Sequence, residues 1–301
     1  MWKTKVLTQF VLSHFPRSEE LNFLLQLKSG SHSPENISKH IIELAEKVKI
    51  SGEHVTIEGS TVLEIGTGWD AITAILFYLM GAKRCYTYDH QPHVRFSLVH
   101  QVINQIEKNI EEIHSITSIP KAMIIERLEQ IKSANTLGEL FGSANIFYFA
   151  PGDASQTGLP NGSVDLVYGY AVLEHIPETV INDILIESKR ILKQNGRAYF
   201  GIGLHDHYAG FDKKISKVNF LQFPEWLWAF FVKNKISYHN RLREKQFMEI
   251  FHSHGAKIEM KNNKIDPSDV ETLKTMKVNT RFSSMTDEEL AVNYSEVILS
   301  F

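Results

Sequence analysis

Apolar positions along the chain follow two alternating patterns. From residue 61 onward, short apolar runs are typical of buried parallel strands, and the stretches between them repeat apolar residues at helical spacing. The predicted strands are TVLEI (61–65), CYTYD (85–89), NIFYF (145–149), DLVYGY (165–170), RAYFGIG (197–203), AKIEM (256–260) and YSEVILSF (294–301). Strands that alternate with helices predict a Rossmann-like α/β fold, with a doubly wound, mostly parallel, seven-stranded sheet.

Helical patterns also occur outside this alternation. Residues 1–58 are predicted to form a helical N-terminal extension, in which Ser33 caps a helix that has Pro34 at its first position. Two helical stripes, 99–110 and 124–131, lie between the second and third strands, where one crossover helix would suffice. The predicted domain is 59–301, with an aromatic-rich helical cap insertion at about 204–242. Its helices are predicted at 70–80, ended by Gly81, at 178–192, ended by Asn195-Gly196, and at 243–254.

Composition excludes several classes of protein. The net charge of −3 and the absence of a basic stripe argue against a nucleic-acid partner. The single cysteine, Cys85, fits a reducing compartment. The longest apolar run, 74–82, is too short to span a bilayer, and the first residues are too polar for a secretory signal. We therefore expect a cytoplasmic protein without an integral membrane segment; peripheral membrane contact stays open.

The segment VLEIGTGWDA (62–71) carries the most chemical information. A strand ends, two glycines let the backbone approach a ligand, and a helix begins with its amides facing the loop. Asp89 ends the next strand, where a carboxylate accepts hydrogen bonds from both ribose hydroxyls. The loop also satisfies the dinucleotide pattern GxGxxG/A, so a nicotinamide cofactor is an alternative, as is a tight turn without any ligand.

The charges around the loop favour S-adenosylmethionine. Asp70 would repel a pyrophosphate at the helix start, whereas Glu64 suits a cationic amino acid moiety. After the third strand, Asp153 in PGDA (151–154) is placed to meet an adenine amino group. The predicted cofactor-binding residues are Glu64, Gly66, Thr67, Gly68, Asp89, His90, Asp153, Ala154 and Tyr170.

These motifs resemble those of class I S-adenosylmethionine-dependent methyltransferases, of the methyltransferase type 11 kind. The resemblance covers about 55–205: VLEIGTG is the first motif, Asp89 the ribose acid, GDA the adenine segment and SVDLVYGYAVLEHI (163–176) the fourth-strand motif. Asp70 departs from the family, which usually has a third glycine there. Segments 205–223 and 236–243 are similar to bacterial methyltransferases associated with surface polysaccharides, which implies O-methylation of a sugar hydroxyl.

Two histidines are candidate bases for removing the hydroxyl proton, namely His207 and His175. His175 has an alternative role in the scaffold of the loop. His205 and His207 are predicted to share one face, with Asp206 on the other. A metal site needs at least three convergent groups, and the spacing supplies two, so no metal is predicted.

The cap segment has two interpretations as well. The aromatic residues of FLQFPEWLWAFFV (220–232) form either a lid for a sugar or lipid-linked acceptor or a packed helix, with Trp228 paired with Phe231 and Phe223 with Phe230. Arg241, Arg243 and Lys245 form either a solvated helix start or a phosphate site.

Three other functions stay open at this point. A methyltransferase for a non-sugar small molecule would share every cofactor residue. A nicotinamide-dependent oxidoreductase would need a loop that tolerates phosphate, against which Asp70 argues. A non-catalytic Rossmann-like binding protein would have lost turnover, against which the intact glycines and Asp89 argue.

Overall fold

A seven-stranded sheet forms the centre of the fold. The computed structural model describes residues 2–232, 234 and 236–301, without the side chain of Phe231. The strands are β1 (Thr61–Ile65), β2 (Arg84–Tyr88), β3 (Ile146–Phe149), β4 (Val164–Tyr170), β5 (Leu192–Gly203), β6 (Lys257–Ile265) and β7 (Val292–Ser300). Their order in the sheet is β3-β2-β1-β4-β5-β7-β6. The predicted Rossmann-like, mostly parallel fold is confirmed.

Helices connect and flank these strands throughout the described residues. They are α1 (Trp2–Leu12), α2 (Ser18–Lys28), α3 (Pro34–Gly52), α4 (Ile72–Leu79), α5 (Phe96–Lys108), α6 (Ile110–Thr117), α7 (Lys121–Lys132), α8 (Leu137–Ser143), α9 (Glu178–Ile191), α10 (His207–Phe211), α11 (Glu225–Val232), α12 (Glu244–Ser253), α13 (Pro267–Thr275) and α14 (Asp287–Ala291). Short 3-10 turns lie at Leu173–His175, Asn219–Gln222 and Thr280–Phe282.

The start of α3 agrees with the predicted cap. The side chain of Ser33 accepts a hydrogen bond from the amide of Asn36, and Pro34 occupies the first helical position. Proline is favoured there because the first amides of a helix have no intrahelical acceptor. The apolar positions Ile37, Ile41 and Leu44 are buried, as the helical spacing predicts.

The connection between β2 and β3 contains more helices than the two stripes predict. It holds α5, α6, α7 and α8. The first stripe crosses Asn109, where the chain turns, so that Ile110 begins α6 instead of ending α5. The short α8 is capped by Thr136, whose side chain accepts from the amide of Glu139. A helix of seven residues carries too few apolar positions to show a period.

The predicted end of the helix before β5 is also wrong in one detail. Helix α9 ends at Ile191, and β5 begins at Leu192. Asn195-Gly196 therefore lies within the strand and does not terminate the helix. The other predicted helices begin and end within two residues of α4 and α12.

The chain divides into two compact units. The first unit comprises Leu27–Gly169, Asp183–Tyr199 and Ser300–Phe301. Within it, β1 pairs in parallel with β2 and β4, with Ile65 opposite Tyr88 and Gly169. Helix α3 packs against α4, α5 and α6. These pairings place the carboxyl ends of β1 and β2 side by side.

The second unit comprises Met1–Gln26, Tyr170–Asn182 and Phe200–Leu299. Helix α1 packs here against α10 and α11. A buried apolar cluster fills the unit, formed by Val6, Tyr208, Val218, Phe220, Leu221, Trp228, Val232, Leu273, Phe282, Leu290 and Ala291. The predicted domain limits at residues 58 and 59, and the cap insertion at 204–242, stay predictions. Within the described residues, no helix combines the length and apolarity that crossing a bilayer requires.

Candidate active site

The glycine loop after β1 is tied to the end of β2. The amide of Gly68 donates to a carboxylate oxygen of Asp89 at 3.1 Å. Gly68 has a φ of +69°, which favours glycine, and a Cβ placed on it would meet no heavy atom within 4 Å. The loop backbone therefore borders open space beside a carboxylate. A flat polar ligand can approach the backbone at this point.

Asp89 is held as an anion. Its other carboxylate oxygen accepts from the amide of Gln91 at 3.1 Å and lies 3.2 Å from Nδ1 of His90 and 3.5 Å from Nδ1 of His93. Burial alone would raise the pKa of Asp89, but these hydrogen bonds lower the pKa well below its usual range. A carboxylate that stays charged is a strong acceptor for ribose hydroxyls. The predicted residue His90 is itself exposed and contacts Asp89.

Glu64 is buried below the same loop. It accepts a hydrogen bond from the hydroxyl of Thr87 at 2.6 Å, and that hydroxyl lies 2.6 Å from the hydroxyl of Thr67. Burial raises the pKa of Glu64 to about 7, against hydrogen bonds that lower it, and the charges of Asp89 and Asp70 raise it further. A bound cation would favour the charged form. The side chain of Thr67 is occupied by Thr87, so only its backbone faces a ligand.

Asp70, which replaces the expected third glycine, is also crowded. A carboxylate oxygen accepts from the amide of Ile72 at 3.4 Å, at the start of α4. Burial raises the pKa of Asp70, while the nearby His40 and His32 lower it. Three carboxyl groups, Glu64, Asp70 and Asp89, thus influence one another around this loop. Their combined charge suits a cationic ligand and opposes a pyrophosphate.

The segment after β3 lies beside Asp89. The amide of Gly152 donates to the carbonyl of Asp89 at 2.8 Å. Asp153 is exposed and accepts from both the amide (2.8 Å) and the hydroxyl (2.6 Å) of Ser155, which fixes its side chain in a turn; Ala154 follows it. The structure therefore brings the predicted adenine segment to the acidic end of β2.

The last of the predicted cofactor residues, Tyr170, follows Gly169, which pairs with Ile65 at the glycine loop. Its ring belongs to the second unit, where it lies 6.3 Å from the ring of Tyr294.

Four histidines gather in the second unit. His175 belongs to the turn after β4, His205 and His207 follow β5, and His239 precedes α12. The ring centroid of His207 lies 4.9 Å from that of His175, 5.0 Å from that of His205 and 4.8 Å from that of His239. The structure thus brings both candidate bases together. His239 was missed by the sequence analysis, although it lies in the segment 236–243 that showed family similarity.

Backbone contacts assign the tautomers of these histidines. Nδ1 of His175 lies 2.8 Å from the carbonyl of Tyr238, and Nδ1 of His207 lies 3.1 Å from the carbonyl of His205. Nδ1 of His205 lies 3.3 Å from the carbonyl of Asn293. A carbonyl only accepts, so each Nδ1 carries the proton and each Nε2 keeps its lone pair. His239 is the opposite case, because its Nδ1 accepts from the amide of Arg241 at 3.1 Å.

The surroundings disfavour charge on His205, His207 and His239. Burial and the neighbours His175 and His205 lower the pKa of His207 to about 3. His207 nevertheless keeps solvent access. Burial likewise lowers the pKa of His205 and of His239. These rings are neutral at neutral pH.

The carboxylate of Glu174 lies beside two of these histidines, His175 and His207. Its side chain is 1% exposed, and one carboxylate oxygen accepts from the amide of Gly203 at 2.9 Å. A Cβ at position 203 would lie 2.5 Å from that oxygen, so the close approach needs glycine. The second oxygen, Oε2, is buried without a hydrogen-bond partner among the described residues. Burial raises the pKa of Glu174.

Asn240 holds the turn that carries Glu174 and His175. Its side-chain amide donates to the carbonyls of Leu173 (2.7 Å) and Ile176 (2.8 Å), and its backbone amide donates to the carbonyl of Glu174 at 2.9 Å. Three bonds from one residue fix the turn in place. The sequence analysis did not single out Asn240, and its side-chain chemistry alone gives no signal for this role.

Asp206 has a structural task. It caps α10 by accepting from the amide of Tyr208 at 2.9 Å, and its other oxygen accepts from Asn219 at 2.9 Å. It is 1% exposed. The histidines on either side have parallel rings, with an interplanar angle of 7°, so the predicted shared face of His205 and His207 agrees with the structure.

The interpretation of Arg241 and Arg243 as solvated is wrong. Both are fully buried. Arg241 donates to the carbonyls of Phe220 and Phe223 and pairs with Glu225 at 2.6 Å. Arg243 donates to the carbonyls of Leu204, Leu290 and Val292. These donors are occupied by protein groups, so the two arginines do not present a phosphate site. Lys245 is exposed and pairs with Glu289 at 3.1 Å.

The aromatic segment 220–232 divides between core and surface. Phe220 and Trp228 are buried, and the indole of Trp228 donates to the carbonyl of His239 at 2.9 Å. The ring of Phe223 stacks on that of Trp228 at 6.5 Å. Trp226 and Phe230 are 71% and 59% exposed. The predicted Trp228–Phe231 pair lies outside the described side chains.

This chain is similar to a known protein family over part of its length, and to several solved structures. The family model described as a methyltransferase domain matches residues 122–200, from α7 into β5. No curated protein matches significantly. Among solved structures, the chain is similar to an S-adenosylmethionine-dependent methyltransferase of Methanosarcina mazei, with 13% identity, 83% of this chain and 95% of that chain covered, and a TM-score of 0.47. A second, from Mesorhizobium loti, shows 13% identity, coverage of 85% and 97%, and a TM-score of 0.46. A geranyl diphosphate methyltransferase in complex with SAM shows 10% identity, coverage of 85% and 84%, and a TM-score of 0.45.

Residues 122–200 match a methyltransferase domain, on a Rossmann-like sheet, and this match supports S-adenosylmethionine as the cofactor. The sheet order supports this assignment, since β7 lies between β5 and β6. The dinucleotide-binding sheet has the order 3-2-1-4-5-6 instead. The observed order argues against the nicotinamide alternative.

Proposed function

We propose that this methyltransferase acts on a hydroxyl group of a small-molecule or glycan acceptor, and that the acceptor is a sugar. The observation that carries the proposal is the pair of Nε2 lone pairs on His175 and His207, whose Nδ1 protons are held by backbone carbonyls. A hydroxyl acceptor must lose a proton during methyl transfer, and a neutral imidazole accepts one.

The cofactor residues are assigned by the chemistry of their groups. Asp89 would hold the ribose hydroxyls, Glu64 would stabilise the amino acid cation, and the backbones of Gly66, Thr67 and Gly68 would line the loop. Asp153 and Ala154 would border the adenine, with His90 and Tyr170 as flanking side chains. The raised pKa of Glu64 supports its proposed role next to the amino acid cation, because a bound cation would stabilise the charged form of a buried carboxyl group.

The reaction requires one bond to form as another breaks. S-adenosylmethionine supplies a methyl group on a sulfonium sulfur; the O–CH3 bond forms as the S–CH3 bond breaks, and the thioether leaves with the electron pair. The hydroxyl proton passes to Nε2 of His175, or less readily to Nε2 of His207, because burial lowers the pKa of His207 and disfavours its charged form. The carbonyls of Tyr238 and His205 would steady the imidazolium through the Nδ1 protons.

The choice of a sugar rests on exposed aromatic rings in the segment 220–232, which follows His207 in the chain. Trp226 and Phe230 expose their rings, and aromatic faces suit the apolar face of a sugar ring. The family-like segments 205–223 and 236–243 support the same choice and a place in polysaccharide assembly. A non-sugar small molecule is the second candidate, since it would use the same cofactor residues. We place the reaction in the cytoplasm, where the buried free thiol of Cys85 would stay reduced.

Methyl transfer from labelled S-adenosylmethionine tests the proposal. The acceptor panel holds free sugars and nucleotide sugars, with phenols and carboxylic acids as the non-sugar arm, and mass spectrometry locates the added methyl group. We expect transfer to a sugar, strongly reduced by Asp89→Asn when S-adenosylmethionine is below saturation. Trp226→Ala should raise KM for the sugar, whereas Ile186→Ala, which replaces an exposed apolar residue on α9, should not. Transfer confined to the phenols or acids would overturn the sugar assignment.

A further inference from the structure

The turn after β4 and the turn after β5 bring three metal-binding groups together. Glu174, His175 and His207 each offer one ligand-type atom, and these atoms lie within 4.8 Å of one another. The spacing of residues along the chain supplied only two convergent groups, His205 and His207. The fold adds a carboxylate and a further imidazole, which satisfies the minimum of three protein ligands.

The buried oxygen of Glu174 supplies an independent observation. Oε2 is shielded from solvent and has no hydrogen-bond partner among the described residues, while Oε1 is satisfied by the amide of Gly203. A buried carboxylate oxygen without a hydrogen-bond partner has lost its bonds to water without replacing them, which destabilises the folded protein. A cation bound at Oε2 would remove that cost.

The histidine tautomers point the same way. Nδ1 of His175 and of His207 donates to a backbone carbonyl, so Nε2 is the free nitrogen on both rings. Histidines that bind metals typically donate the other ring N–H to a carbonyl or carboxylate, which fixes the ring and its tautomer. Here the carbonyls of Tyr238 and His205 accept these N–H hydrogen bonds.

We propose that Glu174, His175 and His207 form a binding site for a divalent transition-metal ion. Two imidazoles and one carboxylate suit Zn²⁺, Mn²⁺, Fe²⁺, Co²⁺ or Ni²⁺, whereas Mg²⁺ and Ca²⁺ favour all-oxygen sites. Zinc binds nitrogen and oxygen at about 2.0–2.1 Å, so ligand atoms must approach to about 3.4 Å of each other. Side-chain rotations of His175 and His207, both solvent-accessible, allow this approach.

Three protein ligands leave a coordination position open, as in catalytic zinc sites. The role of the ion rests on the proposed function: an acceptor hydroxyl bound at the open position would release its proton to solvent more readily, because a cation lowers the pKa of a bound oxygen. In the loaded protein the two Nε2 lone pairs hold the ion in place of a proton. Nε2–H of His239, whose ring centroid lies 4.8 Å from that of His207, is buried without a hydrogen-bond partner among the described residues and would donate to a bound oxygen.

Metal binding can be measured without any acceptor. Untagged full-length protein is stripped with EDTA, dialysed and titrated with ZnCl2 by calorimetry at neutral pH, and Co²⁺ is added in parallel to record the visible absorption of the bound ion. We expect one ion per chain. His207→Ala and His175→Ala should weaken Zn²⁺ binding at least about 100-fold, since loss of a direct ligand costs no less than loss of a supporting group.

Two further variants complete the design. Glu174→Gln keeps an oxygen for the amide of Gly203 and should weaken binding to the same extent, with thermal unfolding as a check on its fold. His252→Ala replaces an exposed histidine on α12 and should bind Zn²⁺ as the wild type does. The proposal would be overturned if the wild type does not bind Zn²⁺ stoichiometrically. It would also be overturned if His207→Ala and His175→Ala bind Zn²⁺ as tightly as the wild type.

The outcomes separate the two proposals. Zinc binding without methylation of any sugar would leave the metal site standing and refute the acceptor assignment. Undiminished sugar methylation by EDTA-treated protein, with no bound ion, would refute the catalytic role of the ion and leave proton transfer to the histidines; the binding site itself stands or falls with the Zn²⁺ titration.

Discussion

The amide of Gly68 and a carboxylate oxygen of Asp89 are hydrogen-bonded at 3.1 Å, across the ends of two neighbouring strands. The contact means that the glycine loop and the acidic residue form one structural element. A ligand held by Asp89 will also meet the backbone of the loop. In the register of β1 and β2, Ile65 lies opposite Tyr88, and Gly68 and Asp89 follow these paired strand ends in the two loops.

Asp89→Asn should weaken the binding of S-adenosylhomocysteine by about 10- to 100-fold, because a charged acceptor for the ribose hydroxyls is lost, equivalent to about 1–3 kcal/mol. Calorimetric titration measures this change. Asp165→Asn is the matched control: Asp165 also accepts from a backbone amide, that of Thr61 at 2.9 Å, but at the start of β4. Equal losses in both variants would count against the role of Asp89.

Glu64 predicts a pH dependence of stability. Its pKa in the folded protein is about 7, above the ordinary value of 4.5. The folded protein retains this proton where the unfolded chain has released it, so the wild type should lose stability relative to Glu64→Gln as the pH rises from 4.5 to 7. The full difference is about 3 kcal/mol.

Urea unfolding of both proteins over that pH range measures the Glu64 effect. Saturating S-adenosylhomocysteine should make the difference smaller, because the ligand's ammonium group would favour the charged carboxylate. Parallel stability curves for wild type and variant, with and without ligand, would contradict this assignment.

Arg243 should be among the most important residues for stability. Arg243→Met leaves three backbone carbonyls without their donor, and each unsatisfied buried group costs about 1–3 kcal/mol. We expect a loss of more than about 3 kcal/mol in the free energy of unfolding. Lys245→Met removes only an exposed ion pair with Glu289 and should cost about 1 kcal/mol or less. Similar midpoints of urea unfolding for the two variants would be inconsistent with this difference.

The aromatic segment should respond to truncation according to burial. Phe220→Ala removes a ring that is 0% exposed from the core of the second unit, and should cost about 3–5 kcal/mol. Trp226→Ala, at a ring that is 71% exposed, should change stability by no more than about 0.5 kcal/mol. Thermal unfolding distinguishes the two. A large loss in Trp226→Ala would indicate that this ring is structural.

The sheet could be predicted because its strands carry continuous apolar runs. TVLEI corresponds to β1 residue for residue, since a strand buried on both faces leaves no polar alternation to obscure it. The helices between β2 and β3 were harder to predict from the sequence. Their ends depend on where the chain turns at Asn109 and on the local cap at Thr136, neither of which interrupts the apolar pattern clearly.

The site was predictable only where its chemistry is local in sequence. The glycine loop and Asp89 follow directly from strand ends, so their neighbourhood could be anticipated. The histidine cluster depends on tertiary contacts between residues far apart in the chain, such as His175 with Tyr238. The burial of Arg241 and Arg243 likewise depends on carbonyls of other segments. No spacing rule reveals such partners.

The contacts of Asn240 limit how the acceptor specificity of this enzyme could be exchanged. Its three bonds to residues 173–176 connect the segment before α12 to the turn after β4. A chimera that replaces the chain from residue 204 to 238 and retains His239-Asn240 would keep that turn in place. A graft that also removes Asn240 would have to bring its own support for Glu174 and His175. The exchangeable part of the protein therefore ends at residue 238, before His239 and Asn240.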